Sequence, residues 1–475
     1  MTTIAALEAQ TPRVGLPQSI AWASGSVATA AISNTISIYG LFYLSVVAGI
    51  DIGLAGTLIL VSKLYDAFTD PVMGAISDRT RHRLGRRRVY VGIGSVLTGL
   101  SMALFLGAGG LVGGLHLAGA LALLLVLSTS YTIFSVPYLA MPPDLAPEYD
   151  KRTQLMSFRM VFIMIGVTLG SVGGPLLLSR FEDQSTGFMV LGLLLGALII
   201  VFGLIAFFGT AGADPDMPPK EVDASPISMH EIFVQPFQDL VRVLGNAPFR
   251  LLTIVKLLQL AVLATALACT PYFFSSVLGR GQADIGAYLG IFTVVGLLII
   301  APLRYLLLFV GKRQAFVYLL AGYACVMASW YFWTESEPGI FFYLRAVGLG
   351  IFSTGTVLCA LALLPDTMEY DRLVSGRSRE GIMSGVFTLV EKVSSAIGPF
   401  IVGWVLASQG LIEGTGGEIP DQPEDVVTVI KLAYSLIPAA ITLSCIPFLL
   451  RYSLDEAELE QARLAAGEHS QAKAF

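Results

Sequence analysis

Long apolar runs separated by short polar segments make up most of the chain. Because an α-helix rises about 1.5 Å per residue, about 20 apolar residues cross the hydrocarbon core of a bilayer. The runs predict twelve such helices, at residues 17–48, 53–77, 88–108, 113–140, 153–179, 186–210, 247–278, 284–310, 313–333, 339–364, 380–410 and 426–451. The predicted fold class is an all-α membrane protein whose twelve transmembrane helices form two six-helix bundles.

A polar stretch in the middle of the chain separates the two sets of six helices. We predict an N-terminal bundle over 1–210, a cytoplasmic linker over 211–246, a C-terminal bundle over 247–453 and a cytoplasmic tail over 454–475. One motif recurs after the fourth and tenth helices, at 143–152 and 365–372: Pro-Asp, then Glu-Tyr-Asp and a basic residue. The motif indicates a duplicated bundle that binds solute near the membrane midplane, although interfacial loops can also look alike by chance.

Composition and charge support this interpretation. Hydrophobic residues form 55% of the chain and charged residues only 13%, against about 25% charged in a typical soluble domain. Six arginines lie between Arg79 and Arg88, and the connections on the opposite side are mostly acidic. Since basic residues prefer the cytoplasmic side, both termini are predicted to be cytoplasmic. The predicted location is the inner (plasma) membrane of a bacterium. Without a basic tail, nucleic acid is not an expected partner.

Three ionisable residues interrupt the apolar second helix: Lys63, Asp66 and Asp70. Their spacings of three and four place them on one helical face. Each charge at the bilayer centre costs at least about 2.5–3.5 kcal/mol, so these side chains should face the protein interior. Two carboxylates in a dry site repel each other unless one holds a proton or a cation lies between them. The pair therefore suits Na⁺ or proton coupling, whereas a structural salt bridge to Lys63 is the alternative.

Two further charges lie within apolar helices. Arg159 is about two turns into the fifth helix and Lys392 is in the middle of the eleventh, where Glu391 points about 100° away from it. We hypothesise that Lys392 reaches toward the helix 2 aspartates and that Arg159 lines the cytoplasmic part of a cavity. Extension toward lipid headgroups is the alternative for Arg159, and it is the interpretation we adopt for Lys256 and Arg304.

The arginine-rich connection after the second helix suggests a mechanical role. Asp78 ends that helix, and Arg79, Arg86 and Arg87 follow closely. Ion pairs among these residues are predicted to form a conformational latch that stabilises one access state. Determination of topology and binding of anionic lipid are alternative roles.

Several motifs resemble one family over nearly the whole chain, in the same order: Tyr-Asp-Ala-Phe-Thr-Asp-Pro-Val-Met-Gly at 65–74, Val-Pro-Tyr at 136–138, Arg152 with Arg159, and Glu-Gly at 380–381 with Lys392. They resemble the glycoside–pentoside–hexuronide:cation symporters of the major facilitator superfamily, of which the melibiose permeases are members. The resemblance implies a major facilitator fold, a cation site at Asp66 and Asp70, and a coupling network of Lys63, Arg159 and Lys392.

The chain departs from the melibiose-type pattern where the sugar should bind. Ala30 and Ser135 stand in place of two aspartates, and Leu139 and Val357 in place of two tryptophans. The coupling residues are thus retained while the pocket is rebuilt and more apolar. We assign Ser135 to the cation-coupling set, and Tyr138 and Asn34 to the substrate cavity together with Arg159 and Lys392.

These expectations give one functional prediction and several alternatives. The protein is predicted to be a symporter, functional as a monomer, that couples Na⁺ or H⁺ to a small organic solute, a sugar or glycoside, by alternating access. An amphiphilic solute such as a lysophospholipid is the alternative, because the related animal symporters share the helix 2 and helix 11 features. An enzyme, a receptor or a channel is disfavoured: no histidine lies in the interior of a predicted helix, the linker is too short for a soluble domain, and the architecture is duplicated. No cofactor is expected, and no metal beyond the possible Na⁺.

Overall fold

A computed structural model describes residues 15–112, 116–146, 149–211, 235–375, 379–412, 414, 419–454 and 458–464. Within these residues, twelve helices are long and apolar enough to cross a membrane. They are α1 Leu16–Val47, α2 Ile52–Arg79, α3 Arg88–Gly109, α4 Leu117–Leu145, α5 Gln154–Leu178, α6 Gln184–Gly209, α7 Ala247–Ser276, α8 Gln282–Val310, α9 Lys312–Phe332, α10 Ile340–Ser375, α11 Glu380–Ser408 and α12 Glu424–Arg451. The predicted twelve-helix fold is confirmed.

Short caps explain how so many helices follow one another closely. The Asp51 carboxylate accepts a hydrogen bond from the Leu54 amide at 2.9 Å and begins α2. Asn246 caps α7 in the same way, through the Phe249 amide at 3.1 Å. Between α8 and α9 a single residue, Gly311, turns the chain with a φ of 85°, a conformation that glycine adopts without steric cost. Side-chain acceptors and glycine thus replace long loops.

The contacts divide the chain into two compact units, one containing α1–α6 and the other α7–α12. In the first unit α1 packs against α5 and α6, α2 against α4, and α3 against α4 and α6. The second unit repeats each pairing: α7 packs against α11 and α12, α8 against α10, and α9 against α10 and α12. The duplication indicated by the recurring motif is therefore present in the helix packing.

Two glycines allow the equivalent helices to cross closely in the two units. A Cβ atom built on Gly166 of α5 would lie 2.5 Å from the Val27 carbonyl oxygen on α1. A Cβ on Gly398 of α11 would lie 2.5 Å from the Ala264 carbonyl carbon on α7. Both contacts are shorter than side chains tolerate, so each crossing depends on its glycine.

The second copy of the recurring motif lies inside a helix, which differs from its predicted place after the tenth helix. α10 continues beyond residue 364 to Ser375, with Pro365 in its interior. A proline removes one helical hydrogen bond and bends a helix without necessarily ending it. Side chains of other helices contact the polar residues that follow Pro365; the Lys312 ammonium of α9, for example, lies 2.6 Å from Asp366. Such contacts stabilise this part of α10, and the helix continues.

Most of the predicted linker and tail lies outside the described residues, including 212–234 and 465–475. Within the linker, the helix Gln235–Leu244 packs Leu240 and Val243 against the apolar core of the second unit. In the tail, the Arg463 guanidinium binds the Glu369 carboxylate of α10 through two contacts of 2.8 and 3.0 Å.

Candidate functional site

The acidic face of α2 is the centre of the candidate site. The Lys63 ammonium lies 3.1 Å from Asp66 Oδ2, and Asp66 is only 4% exposed. Its other oxygen, Oδ1, is buried without a hydrogen-bond partner among the described residues. One turn along the helix, Asp70 Oδ1 accepts a hydrogen bond from the Thr132 hydroxyl at 2.9 Å. A buried carboxylate oxygen without a partner is costly and marks a place for a proton or a cation.

Helix α4 supplies the polar groups that face this part of α2. Besides Thr132, Thr129 shares a hydrogen bond of 3.0 Å with the Tyr65 hydroxyl. Tyr131 lies beside Ser33 of α1 and within electrostatic range of Asp66. Sequence reasoning did not single out these α4 residues. Their signal was the polar run Ser-Thr-Ser-Tyr-Thr at 128–132 inside an otherwise apolar helix.

The other predicted residues of the first unit lie near this site in different settings. Ser135 is buried three residues beyond Thr132 on α4. Asn34 is half-buried, and its amide donates to the Ala30 carbonyl at 3.4 Å. Arg159 lies within electrostatic range of Tyr131, and its Nε is buried without a hydrogen-bond partner among the described residues. The roles assigned to these three residues stay predictions.

Tyr138 joins two helices in this structure. Its side chain is fully buried and stacks on Trp22 of α1, with ring centroids 5.1 Å apart. Its hydroxyl lies 2.7 Å from the Ser26 hydroxyl and donates to the Trp22 carbonyl at 2.8 Å. A contact between Tyr138 and the solute stays a prediction, because the packing between α1 and α4 accounts for the whole side chain here.

Most of the predicted latch residues come together at one end of the first unit. Arg87 Nη2 lies 2.5 Å from Asp78 Oδ1, and Arg87 Nη1 lies 2.7 Å from Asp144 Oδ2. Arg86 also pairs with Asp144, at 2.7 Å. These pairs tie the end of α2 and the start of α3 to the end of α4, while Arg79 is the last residue of α2 and its role stays a prediction. Asp144 is an addition to the predicted set, and its only sequence signal was its place in the recurring motif.

The second unit repeats this arrangement of donors and acceptors. In the first unit Arg87 donates both to the Ala140 carbonyl and to the Asp144 carboxylate, four residues later. In the second unit the Lys312 ammonium donates to the Ala362 carbonyl at 3.4 Å and to Asp366, also four residues later. In the first unit Arg87, just before α3, thus holds α4. In the second unit Lys312, at the start of α9, holds α10. The recurring Pro-Asp motif supplies the carboxylate in both.

The prediction for Lys256 is wrong. We predicted that it extends toward the headgroups, but it is 5% exposed. Its ammonium lies 2.7 Å from Glu391 Oε1 on α11 and 3.5 Å from the centroid of the Phe387 ring. The lysine turns inward because a carboxylate and an aromatic face on the neighbouring helix replace water around its charge. Lys392 is half-buried on α11; its approach to the helix 2 aspartates involves both units and stays a prediction.

No group of three or more histidine, cysteine, aspartate or glutamate side chains within the described ranges has an arrangement that could hold a metal ion. The four cysteines are free thiols, three of them buried. The chemistry of the described site therefore rests on carboxylates, hydroxyls and basic side chains.

Comparison with known proteins places this geometry in a family. A protein-family sequence model described as MFS/sugar transport protein matches residues 21–456. The chain belongs to this family. It is therefore a membrane transporter of the major facilitator superfamily and not an enzyme, and the resemblance to the glycoside–pentoside–hexuronide:cation symporters is confirmed.

Two relatives and one solved structure illustrate the similarity. The inner membrane symporter YicJ of Escherichia coli (strain K12) is 25% identical over 90% of this chain and 89% of its own length. The isoprimeverose transporter of Lactiplantibacillus pentosus is 23% identical over 93% of this chain and 89% of its own. A crystal structure of the nucleoside transporter NupG superimposes with a TM-score of 0.61 at 13% identity, covering 93% of this chain and all of that one. At that identity the structural match shows the fold alone.

Proposed function

We propose that this protein is a cation-coupled symporter that carries a sugar or glycoside across the plasma membrane by alternating access. The observation that carries the proposal is the acidic face of α2, where buried Asp66 retains an unpartnered oxygen one turn from Asp70. The names of the relatives support the solute class, since one is a symporter and another an isoprimeverose transporter. The comparisons do not favour the lysophospholipid alternative.

The cation would bind where α2 and α4 meet. The oxygen donors available there are the carboxylates of Asp66 and Asp70 and the hydroxyl of Thr132, which are ligands suited to a hard cation such as Na⁺. Lys63 neutralises one oxygen of Asp66, in line with the structural salt bridge that the sequence left as an alternative. That ion pair leaves Asp66 Oδ1 buried without a hydrogen-bond partner among the described residues, so a cation or a proton at this oxygen would offset the cost of its burial.

The same helix connects the cation site to the predicted latch. Asp78 lies twelve residues beyond Asp66, which corresponds to about 18 Å along α2. A cation that repositions α2 would therefore act on the ion pairs of Arg87 with Asp78 and Asp144. In this proposal the arginine-rich connection and both termini are cytoplasmic, and the monomer is the functional unit. Since coupling is reciprocal, solute raises cation affinity by the factor by which the cation raises solute affinity.

Uptake into proteoliposomes tests the proposal. Isoprimeverose accumulation is measured under an inward Na⁺ gradient, an inward proton gradient and no gradient. We expect accumulation in the wild type with one of the two gradients, and loss of accumulation in Asp66→Asn and in Asp70→Asn. Asp51→Asn is the matched control, because asparagine also caps helices and this residue begins α2 far from the site. Gradient-driven accumulation in both site variants would discard the site.

A further inference from the structure

The proposed function gives no role to the ion pair of Lys256 with Glu391, which joins two membrane-spanning helices. Lys256 lies nine residues after the start of α7, and Glu391 lies eleven residues after the start of α11. These positions are about 14 Å and about 16 Å along their helices. Both charges therefore lie in the interior of their helices and not at a helix end.

The two partners of this pair differ in exposure. The Lys256 side chain is 6% exposed, whereas the Glu391 side chain is 53% exposed. A carboxylate that faces lipid at this depth is strongly disfavoured, so its exposed side must face water. The same side of α11 carries Ser384 and Thr388, both exposed, seven and three residues before Glu391. No atom lies within 4 Å of a Cβ built on Gly385.

The exposed side chains of α8, in the same unit, differ in polarity from those around Glu391. On α8 the most exposed side chains include Leu298, Leu308 and Phe309, at 71%, 72% and 86%. Such large apolar side chains are typical of a lipid-facing surface. The polar face of α11 therefore belongs to the aqueous path of the transporter.

Lys256 holds Glu391 in place on this face. The ammonium is fixed by the Phe387 ring on one side and donates to Glu391 Oε1 on the other. This contact uses Oε1, so Oε2 can accept hydrogen bonds from a ligand. An ionised carboxylate accepts hydrogen bonds and donates none, which complements the hydroxyl groups of a sugar.

Glu391 lies as far from a crossing glycine as Arg159 does in the first unit. It precedes the crossing glycine Gly398 by seven residues, and Arg159 precedes the equivalent Gly166 by seven. A charged residue thus lies about two turns before a crossing glycine in each unit.

We propose that Glu391, positioned by Lys256, is a solute-binding residue that accepts hydrogen bonds from the hydroxyl groups of an uncharged sugar or glycoside. The inference rests on the proposed function and narrows its substrate class. Because the Lys256–Glu391 pair is formally neutral, an uncharged solute leaves the charge balance of the site unchanged. The anion of a carboxylated sugar would be repelled wherever it lay against the Glu391 carboxylate.

Binding measurements on purified, full-length protein test this inference. The probes are isoprimeverose, a panel of neutral methyl glycosides and methyl β-glucuronide. Glu391→Gln removes the charge of the acceptor but leaves the buried Lys256 ammonium without its partner. The double variant Lys256→Gln, Glu391→Gln removes both charges and separates lost binding from lost folding. Glu424→Gln, at the exposed start of α12, is the control.

We expect both Glu391 variants to bind the preferred neutral glycoside about tenfold more weakly or worse, with an unchanged Na⁺- or pH-induced thermal shift in the absence of sugar. Wild-type affinity for methyl β-glucuronide should be lower than for the neutral methyl glycosides. Affinity within twofold of wild type in the double variant overturns the inference, as does tighter wild-type binding of the glucuronide. If the wild type neither binds nor takes up any probe, the proposed function fails as well.

Discussion

Thr132 of α4 donates a hydrogen bond to Asp70 Oδ1 of α2 at 2.9 Å, and its side chain is almost fully buried. Thr132→Val preserves the shape of the side chain and removes the donor. A hydrogen bond to a charged group contributes about 1.5–3 kcal/mol, and each 1.4 kcal/mol is about tenfold in an equilibrium constant. If the bond organises Asp70 for the cation, the cation concentration for half-maximal uptake should rise about 10- to 150-fold.

The assay measures initial isoprimeverose uptake into proteoliposomes across a series of Na⁺ concentrations, and of pH values at constant Na⁺. Thr129→Val is the matched control: it lies one turn away on α4 and loses a hydrogen bond to the neutral hydroxyl of Tyr65. We expect the control to change the half-maximal concentration less than about threefold, and Thr132→Ser to retain wild-type behaviour. Equal shifts in the two valine variants, or no shift in Thr132→Val, would refute the role of this bond.

Two further predictions concern the framework around the site. Asp144→Asn should lower the thermal unfolding midpoint of the purified protein clearly more than Asp78→Asn. Asp144 is 14% exposed and pairs with two arginines, whereas Asp78 is 55% exposed. Equal midpoints in the two variants would contradict a larger contribution of Asp144 to stability. Gly166→Ala should also lower the midpoint, because its new Cβ would lie 2.5 Å from a carbonyl oxygen and overpacking costs about 1–3 kcal/mol. Gly173→Ala, where no atom lies within 4 Å of the new Cβ, is the control.

The agreement between the two units strengthens both proposals. A duplicated bundle need not keep equivalent side-chain contacts, yet Arg87 and Lys312 each bind a carbonyl and a carboxylate four residues apart. The symmetry does not extend to charge: α2 carries Lys63, Asp66 and Asp70 within its apolar stretch, whereas the charged residues of the equivalent α8 are Asp284 and Arg304.

The twelve helices, the family and the positions of the unusual charges all follow from the order of residues along the chain. Hydropathy is a local property, and the cost of a charge in lipid applies to any residue within an apolar run. Helix periodicity also put Lys63, Asp66 and Asp70 on one face without reference to other helices. The helices and the unusual charges needed only the order of residues within single segments, whereas the family needed motifs along nearly the whole chain.

The contacts between side chains of different helices depend on how the helices pack. Asp70 and Thr132 are 62 residues apart in the chain, and Lys256 and Glu391 are 135 apart. Such partners depend on the rotation of each helix and on which helices pack together, and neither follows from a single segment. For the same reason Lys256 was predicted to reach the headgroups: its carboxylate and aromatic partners lie on a helix distant in sequence.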